Sequence, residues 1–231
     1  ILNDLAGAEA AVSLGGVRAS GHLRITAPAG FGRKHVAPLV MELLQANPEV
    51  SAGLDLSDRS VDLVNEGFDC AVRIGDLEDS SLVGVRLGEM RRLVVASQGY
   101  LQRHGVPRSL DDLAGHRCLS LVNQTGWTFR DPARPERLLN LKVSGPLECN
   151  DGAVLHEWAL AGLGLAWRSL WEVGDDLRWG RLVSVLDEWA PPPVGIHAVV
   201  PQRRHLPLRV RLFIDLLKEN YGRPDYWDRN E

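Results

Sequence analysis

Cysteine is scarce in this chain. Its 231 residues hold three, Cys70, Cys118 and Cys149, an odd number set far apart. They form no Cys-x-x-Cys pair and no His/Cys cluster. That excludes a disulfide framework and a structural zinc site, and it fits a reducing cytoplasm. Long apolar runs are also missing, since none approaches the ~18 residues of a membrane-spanning helix. No signal peptide is visible, and residue 1 is Ile rather than Met. Positive charge is not in excess: 26 Lys+Arg stand against 30 Asp+Glu, a net charge of -4. A strongly basic nucleic-acid surface over the whole chain is thereby excluded, though a local patch is not. The common catalytic motifs are absent as well. There is no Gly-x-Ser-x-Gly elbow, no His-Glu-x-x-His, no Walker loop and no Gly-x-Gly-x-x-Gly. No catalytic constellation, cofactor or metal site is expected.

What is present is ordinary globular composition, 45% hydrophobic and 24% charged, with length enough for one large domain or two small ones. Ile1–Val12 reads as helix, and with Ile as residue 1 the expectation is a fragment or a processed chain. A strand is expected at 22–26 and a turn at 27–32. A helix follows, burying Val36, Leu39, Val40, Leu43 and Leu44 at i, i+3, i+4, i+7 and i+8. Asn47-Pro48 ends it. A strand at 50–56, a short helix at 59–66 and strands at 68–74, 82–87 and 91–96 complete a first unit.

The second unit opens at Ser97, which caps a helix to His104. Ser109-Leu110-Asp111-Asp112 resembles a capping box closed by Gly115. A strand is expected at 117–122. A meander at 127–130 and 138–147 turns through 131–135. Asn150-Asp151-Gly152 opens a helix that ends near Gly162. Strand 163–167, helix 168–174 and strand 181–186 follow, then the linker Pro191-Pro192-Pro193 and strand 194–200. Pro207 begins a last helix burying Val210, Phe213, Ile214, Leu217 and Tyr221, and the tail 222–231 reads as loose. Strand–helix alternation predicts an α/β fold with mainly parallel sheets, in two lobes.

The ordered set of segments is informative beyond its periodicity. Leu23-Arg24-Ile25-Thr26-Ala27-Pro28 and Phe31-Gly32-Arg33 come first, then Leu56-Ser57-Asp58-Arg59-Ser60-Val61-Asp62-Leu63-Val64. Gly67 to Gly75, Asp79-Ser80-Ser81-Leu82, Tyr100-Leu101 and Asp112 to Leu119 follow. Asn150-Asp151-Gly152, Ala161-Gly162-Leu163-Gly164 and Pro201 to Leu206 complete it. From about 22 to 221 this resembles the effector-binding domain of LysR-type transcriptional regulators. The resemblance implies two Rossmann-like lobes joined by two crossover strands, like a type 2 periplasmic binding protein. Lobe I would be 22–95 plus 198–221, and lobe II 97–194. It implies DNA as a partner through a winged helix-turn-helix upstream, with 1–20 as the remnant of a linker helix and linker. It implies no membrane, and a homodimer or homotetramer in which helix 34–46 of one chain meets helix 152–162 of its partner, testable at Leu43.

A small-molecule effector, an organic anion by preference, would sit between the lobes beyond the strand ends. Two helix N-termini, at Ala29-Gly30-Phe31-Gly32 and Asn150-Asp151-Gly152, offer backbone N–H groups to an anion. The bland reading is that the glycines only make a turn. Members of the family often carry Ser or Thr where this chain has Ala29 and Gly30. Ser57 either donates to the ligand or caps the next segment. Arg73 either pairs with an effector carboxylate or with Asp69 or Asp76. Ser97 and His197 lie near the crossovers, and Asn123 and Trp127 would wall the site from lobe II unless Trp127 is core. Redox sensing at Cys118 and Cys149 is a rival, although both read as buried small apolar residues. A stand-alone solute-binding protein of a transporter is the alternative function. An enzyme on a similar scaffold is a third reading, weakened by the missing catalytic set.

Overall fold

The computed structural model describes residues 18–59, 61–75, 82–122, 124, 126–201, 205–223 and 226–228. The helix expected at 1–12 lies outside them. The chain divides into two compact units, one reaching to Glu89 and resuming at Val194, the other spanning Met90–Pro193.

In unit 1 the strands β1 (Gly21–Ala27), β2 (Val50–Leu56), β3 (Cys70–Ile74), β4 (Leu82–Met90) and β12 (Val194–Pro201) form one sheet. Their order is β2-β1-β3-β12-β4. β1 runs parallel to β2 from Gly21↔Val50 to Ala27↔Leu56. Alternate residues Leu23, Ile25 and Ala27 are fully buried, as a strand with one covered face requires. The helical run α1 covers Ala29–Phe31, a π turn Gly32–Val36 and Ala37–Ala46. It buries Phe31, Val36, Leu39, Val40 and Leu43 and packs against α5 (Leu208–Tyr221).

Three expectations for unit 1 are corrected. α1 starts at Ala29, inside the stretch read as a turn, because Asp58 Oδ1 accepts from Ala29 N at 3.1 Å and satisfies its first N–H. The π turn has its cause in Pro38, which has no N–H for the Lys34 carbonyl and would press its ring on that carbonyl in a regular helix. Among the described residues of 59–66 there is no helix, only a bend at 59 and a turn over 63–67. The Asp62 carboxylate takes the N–H groups of Val64 and Asn65, and the Asn65 side-chain amide, in competition with helix formation. The tail is not uniformly loose, since Tyr226–Asp228 forms a turn whose Tyr226 and Trp227 rings pack on Tyr221.

Unit 2 is built on β5 (Arg92–Ser97), β6 (Cys118–Leu121), β9 (Glu148–Cys149), β10 (Leu165–Ser169) and β11 (Leu182–Val185), ordered β11-β5-β10-β6-β9. On one face Val94, Ala96, Cys118, Leu165 and Trp167 pack with α2 (Gln98–His104) and the ribbon β7 (Trp127–Asp131) and β8 (Arg134–Leu141). On the other, Leu93, Val95, Leu119 and Ala166 meet α3 (Gly152–Leu160) and α4 (Leu170–Arg178). Helix α4 begins later than expected because Arg168 and Ser169 complete β10 against Leu93 and Arg92. The second ribbon strand sits earlier than 138–147, since Asp131 Oδ1 accepts from Ala133 N and tightens the turn. The lobe boundaries shift too. The strand expected at 91–96 pairs wholly within unit 2, and β12 pairs with β3 in unit 1. Among the described residues no helix is long and apolar enough to cross a membrane.

Candidate functional site

In a parallel sheet the carboxyl ends of the strands share one edge, where loops carry functional groups. In unit 1 that edge holds the ends of β1, β2 and β3. β12 runs antiparallel to β3, so it starts at the same edge and sets His197 opposite Arg73. Register places Asp55, Thr26 and Ala71 side by side, and Ala71 beside Val199. With a side-chain period of two, Asp55, Thr26, Arg73 and His197 all share one face.

Among the described residues, three polar atoms on that face are buried without a hydrogen-bond partner: Thr26 Oγ1, Arg73 Nη2 and His197 Nδ1; Asp76 lies outside those residues. Arg73 is committed, among the described residues, on one side, where Nη1 donates to its neighbour's carbonyl, Val72 O, at 3.3 Å. Burial lowers the Arg73 pKa, helped by the Arg59 charge and opposed by Asp55 and Asp58. Arg59 is itself engaged by Glu66 through two hydrogen bonds. His197 lies along its own strand over Gly195, where a methyl group would run into the imidazole ring. A guanidinium with a free edge beside an imidazole can take a carboxylate or another planar acceptor.

The other residues expected at the site have more specific roles. Ala29 N–H is already bound by Asp58. Gly30 is partly buried in the first turn of α1. Phe31 is fully buried among His35, Tyr221 and Trp227. Gly32 is small for packing reasons, since a methyl there would collide with Leu56 and crowd Ala27. Ser57 Oγ accepts from Arg59 N at 3.3 Å, closing a turn rather than capping a helix.

In unit 2, Ser97 caps α2 by accepting from Tyr100 N and is nearly buried. Trp127 is core and fully buried, and its Nε1 has no hydrogen-bond partner among the described residues. Asn150 and Asp151 are exposed, and Asp151 caps α3 through Ala153 N at 2.8 Å. The space beside Gly152 is filled by the Arg168 guanidinium. Asn123 lies outside the described residues.

Sequence reasoning missed Asp58, Arg92, Arg168 and Glu172. Arg168 and Glu172 make a nearly buried ion pair at 2.7 Å, and burial still raises the Glu172 pKa. Arg92 sits 4.8 Å over the Trp167 ring, its pKa lowered by burial and then by Arg168. No local pattern exposes Asp58. The i,i+4 spacing of Arg168 and Glu172 was a signal, hidden because it straddles a strand–helix junction.

The three cysteines are free thiols. Burial pushes the Cys70 and Cys118 thiols up to about 12, which removes the thiolate a redox sensor needs. Cys149 is only partly buried, unlike the expectation, and its sulfur accepts from Asp151 N.

Comparison with known proteins agrees with this architecture. A family model described as the LysR substrate binding domain matches residues 17–222. The chain is similar to the HTH-type transcriptional regulator DmlR of Escherichia coli strain K12, 37% identical over 206 residues, 87% of this chain and 66% of that protein. It is also similar to the HTH-type transcriptional activator TtdR of the same strain, 33% identical over 214 residues, 90% of this chain and 68% of that protein. Among solved structures it is similar to the regulatory domain of CrgA, a LysR-type transcriptional regulator from Neisseria meningitidis. That match has 29% identity and a TM-score of 0.77, and covers 88% of this chain and 100% of the other. The chain spans about two thirds of the length of these curated relatives. It belongs to the LysR family of transcriptional regulators, which are not enzymes, and comprises that family's effector-binding domain.

Proposed function

We propose that this domain senses a small organic anion at the carboxyl edge of the unit 1 sheet, in the cytoplasm, and passes the signal to a DNA-reading domain elsewhere in the whole protein. The observation that carries the reading is the unengaged Nη2 of Arg73 beside His197 on the carboxyl edge of unit 1. A desolvated cation without a carboxylate partner costs folding free energy, and an anionic ligand relieves that cost. The helix N-terminus at Ala29 is the weaker anchor, because Asp58 already occupies it. Signalling requires that the anion favour one conformation of the domain over another, not merely that it bind.

Assembly as a homodimer or homotetramer belongs to the same proposal. An apolar groove of about 510 Å³ on unit 1, lined by Ala37, Val40, Met41, Leu44, Ala52 and Leu54, supports it. Met41 is 58% exposed on this groove, whereas Leu43 is core, so Met41 is the residue at which to test assembly.

The test is a thermal-shift screen against small carboxylates, aromatic acids, phenols and amino acids. A ligand at ~100 times its dissociation constant adds about 2.7 kcal/mol. That is several degrees at roughly 2–4 °C per kcal/mol. A response confined to one anionic class, and lost in Arg73→Gln, is the expected result. A response only to cations or neutral amines would sink the anion reading.

A further inference from the structure

We propose that Tyr226 and Trp227 are positioning residues for the loop-to-helix entry at 29–32, the first turn of α1, acting on it through His35 and Phe31; that entry loop's role in effector binding rests on the function proposed above. The start of α1 is held by groups far away in the chain. Its π turn is imposed by Pro38, and i→i+5 geometry leaves a poorer hydrogen-bond ladder than a regular helix. The C-terminal region reinforces that turn. The Tyr221 hydroxyl donates to His35 O at 2.8 Å, and the His35 ring Nδ1 lies 3.2 Å from the Tyr226 hydroxyl.

Around these bonds the rings form one cluster. Trp227 is 5.3 Å from His35 and 6.3 Å from Phe31, centroid to centroid, and packs edge-on against Tyr226 at 4.7 Å. Phe31 is a residue of the loop itself, and its full burial depends on Trp227 as well as on Tyr221 and His35. The chain leaves α5 at Gly222 and turns back through Tyr226 N–H to Arg223 O, which returns both rings to a helix some 190 residues earlier. The loop's other hydrogen-bonded anchors among the described residues are Gly32 N to Pro28 O, which is local, and Ala29 N to Asp58, 29 residues on. Without the tail rings Phe31 loses packing on one side, and the loop must be ordered at the moment a ligand binds. Ordering it beforehand strengthens binding.

Amide hydrogen exchange on the domain tests this, comparing wild type, Trp227→Ala, Trp227→Phe and Tyr226→Phe. Peptides covering 28–36 should exchange at least about fivefold faster in Trp227→Ala, with β2 and β10 unchanged and Trp227→Phe largely restored. Tyr226→Phe should show a smaller local rise. Unchanged exchange at 28–36 overturns the proposal, and so does acceleration spread evenly over unit 1. A second arm follows acetate binding through the Gly30 amide resonance, where Trp227→Ala should weaken binding about fivefold. Faster exchange with unaltered acetate affinity overturns the positioning role. Failure of acetate, benzoate and succinate alike to bind wild type overturns the effector reading of this loop and with it the positioning role, while the exchange result reports separately on the clamp.

Discussion

His197 stands directly opposite Arg73 in the antiparallel pairing of β12 with β3, and each carries a buried nitrogen with no hydrogen-bond partner among the described residues. Side chains opposed in this way are near neighbours across a sheet. Two polar groups left unsatisfied together on one face are a cost that the fold does not offset from within. A binding site that awaits its ligand accepts such a cost.

Replacing Arg73 should therefore separate stability from function. Arg73→Met keeps the aliphatic stem and removes the desolvated charge. The ligand-free domain should gain about 0.5–2 kcal/mol, in the usual range for relieving a functional strain. Any thermal response to anions should vanish. Chemical denaturation read at its midpoint measures the first effect and the ligand screen the second. A loss of stability would show that the guanidinium is structural.

Asp58 competes with an anionic effector, because its carboxylate holds the Ala29 N–H and lies near enough to Arg73 to influence its charge. Asp58→Asn keeps an oxygen acceptor for the cap and removes the charge. Stability should change by less than about 1 kcal/mol. The thermal shift caused by a carboxylate ligand should grow relative to wild type. A smaller shift would mean that Asp58 helps bind the effector.

Gly32 is set by packing against β2. Gly32→Ala puts a methyl group into Leu56, which itself ends β2, and close to Ala27. Overpacking of this kind costs about 1–3 kcal/mol. The loss should be read by urea denaturation. A neutral result would show that Leu56 can move aside freely.

Arg168 and Glu172 form a pair whose halves are not independently tolerable. Arg168→Met leaves the Glu172 carboxylate nearly buried and unpaired, which should cost about 3–5 kcal/mol. Arg168→Met with Glu172→Leu should recover most of that. Equal losses in the single and double variants would argue against coupling.

Much of the fold was legible where one residue type repeats at one period. The five buried positions of α5 and the alternation in β1 are of this kind. The segment 59–66 misled because its apolar spacing fits a helix, while Asp62 captures the N–H groups locally. Arg73 was legible as a site residue because it is the one charge in the strand Cys70–Ile74. Asp58 and Gly32 were not, since their roles depend on partners about 25 to 30 residues away, across the β1–α1–β2 crossover. Phe31 and Trp127 show a further limit. A core aromatic and an aromatic lining a ligand site look the same in sequence, and only their full burial distinguishes them.

His116 should make unit 2 sensitive to mild acid. Arg117 N donates to the Tyr100 hydroxyl oxygen at 2.9 Å, which leaves the Tyr100 hydrogen for His116 Nδ1 at 3.1 Å. Nδ1 then accepts, and the neutral ring is the one that fits. Protonation would turn Nδ1 into a donor and force the nearly buried Tyr100 hydrogen away from its acceptor. Burial lowers the His116 pKa below 6.5, the nearby His104 lowers it further, and Asp112 opposes both. Because the folded value lies below the unfolded one, the unfolded chain holds more protons in the window between them, and stability rises with pH there. The contribution is full above the ordinary value and is lost as pH falls from there through the folded value. Urea midpoints measured between about pH 7.5 and 5.5 should fall in acid for the wild type. The fall should be shallower in His116→Gln, which keeps a polar group near Tyr100 but does not titrate. Equal slopes in the two proteins would assign the acid sensitivity to other groups.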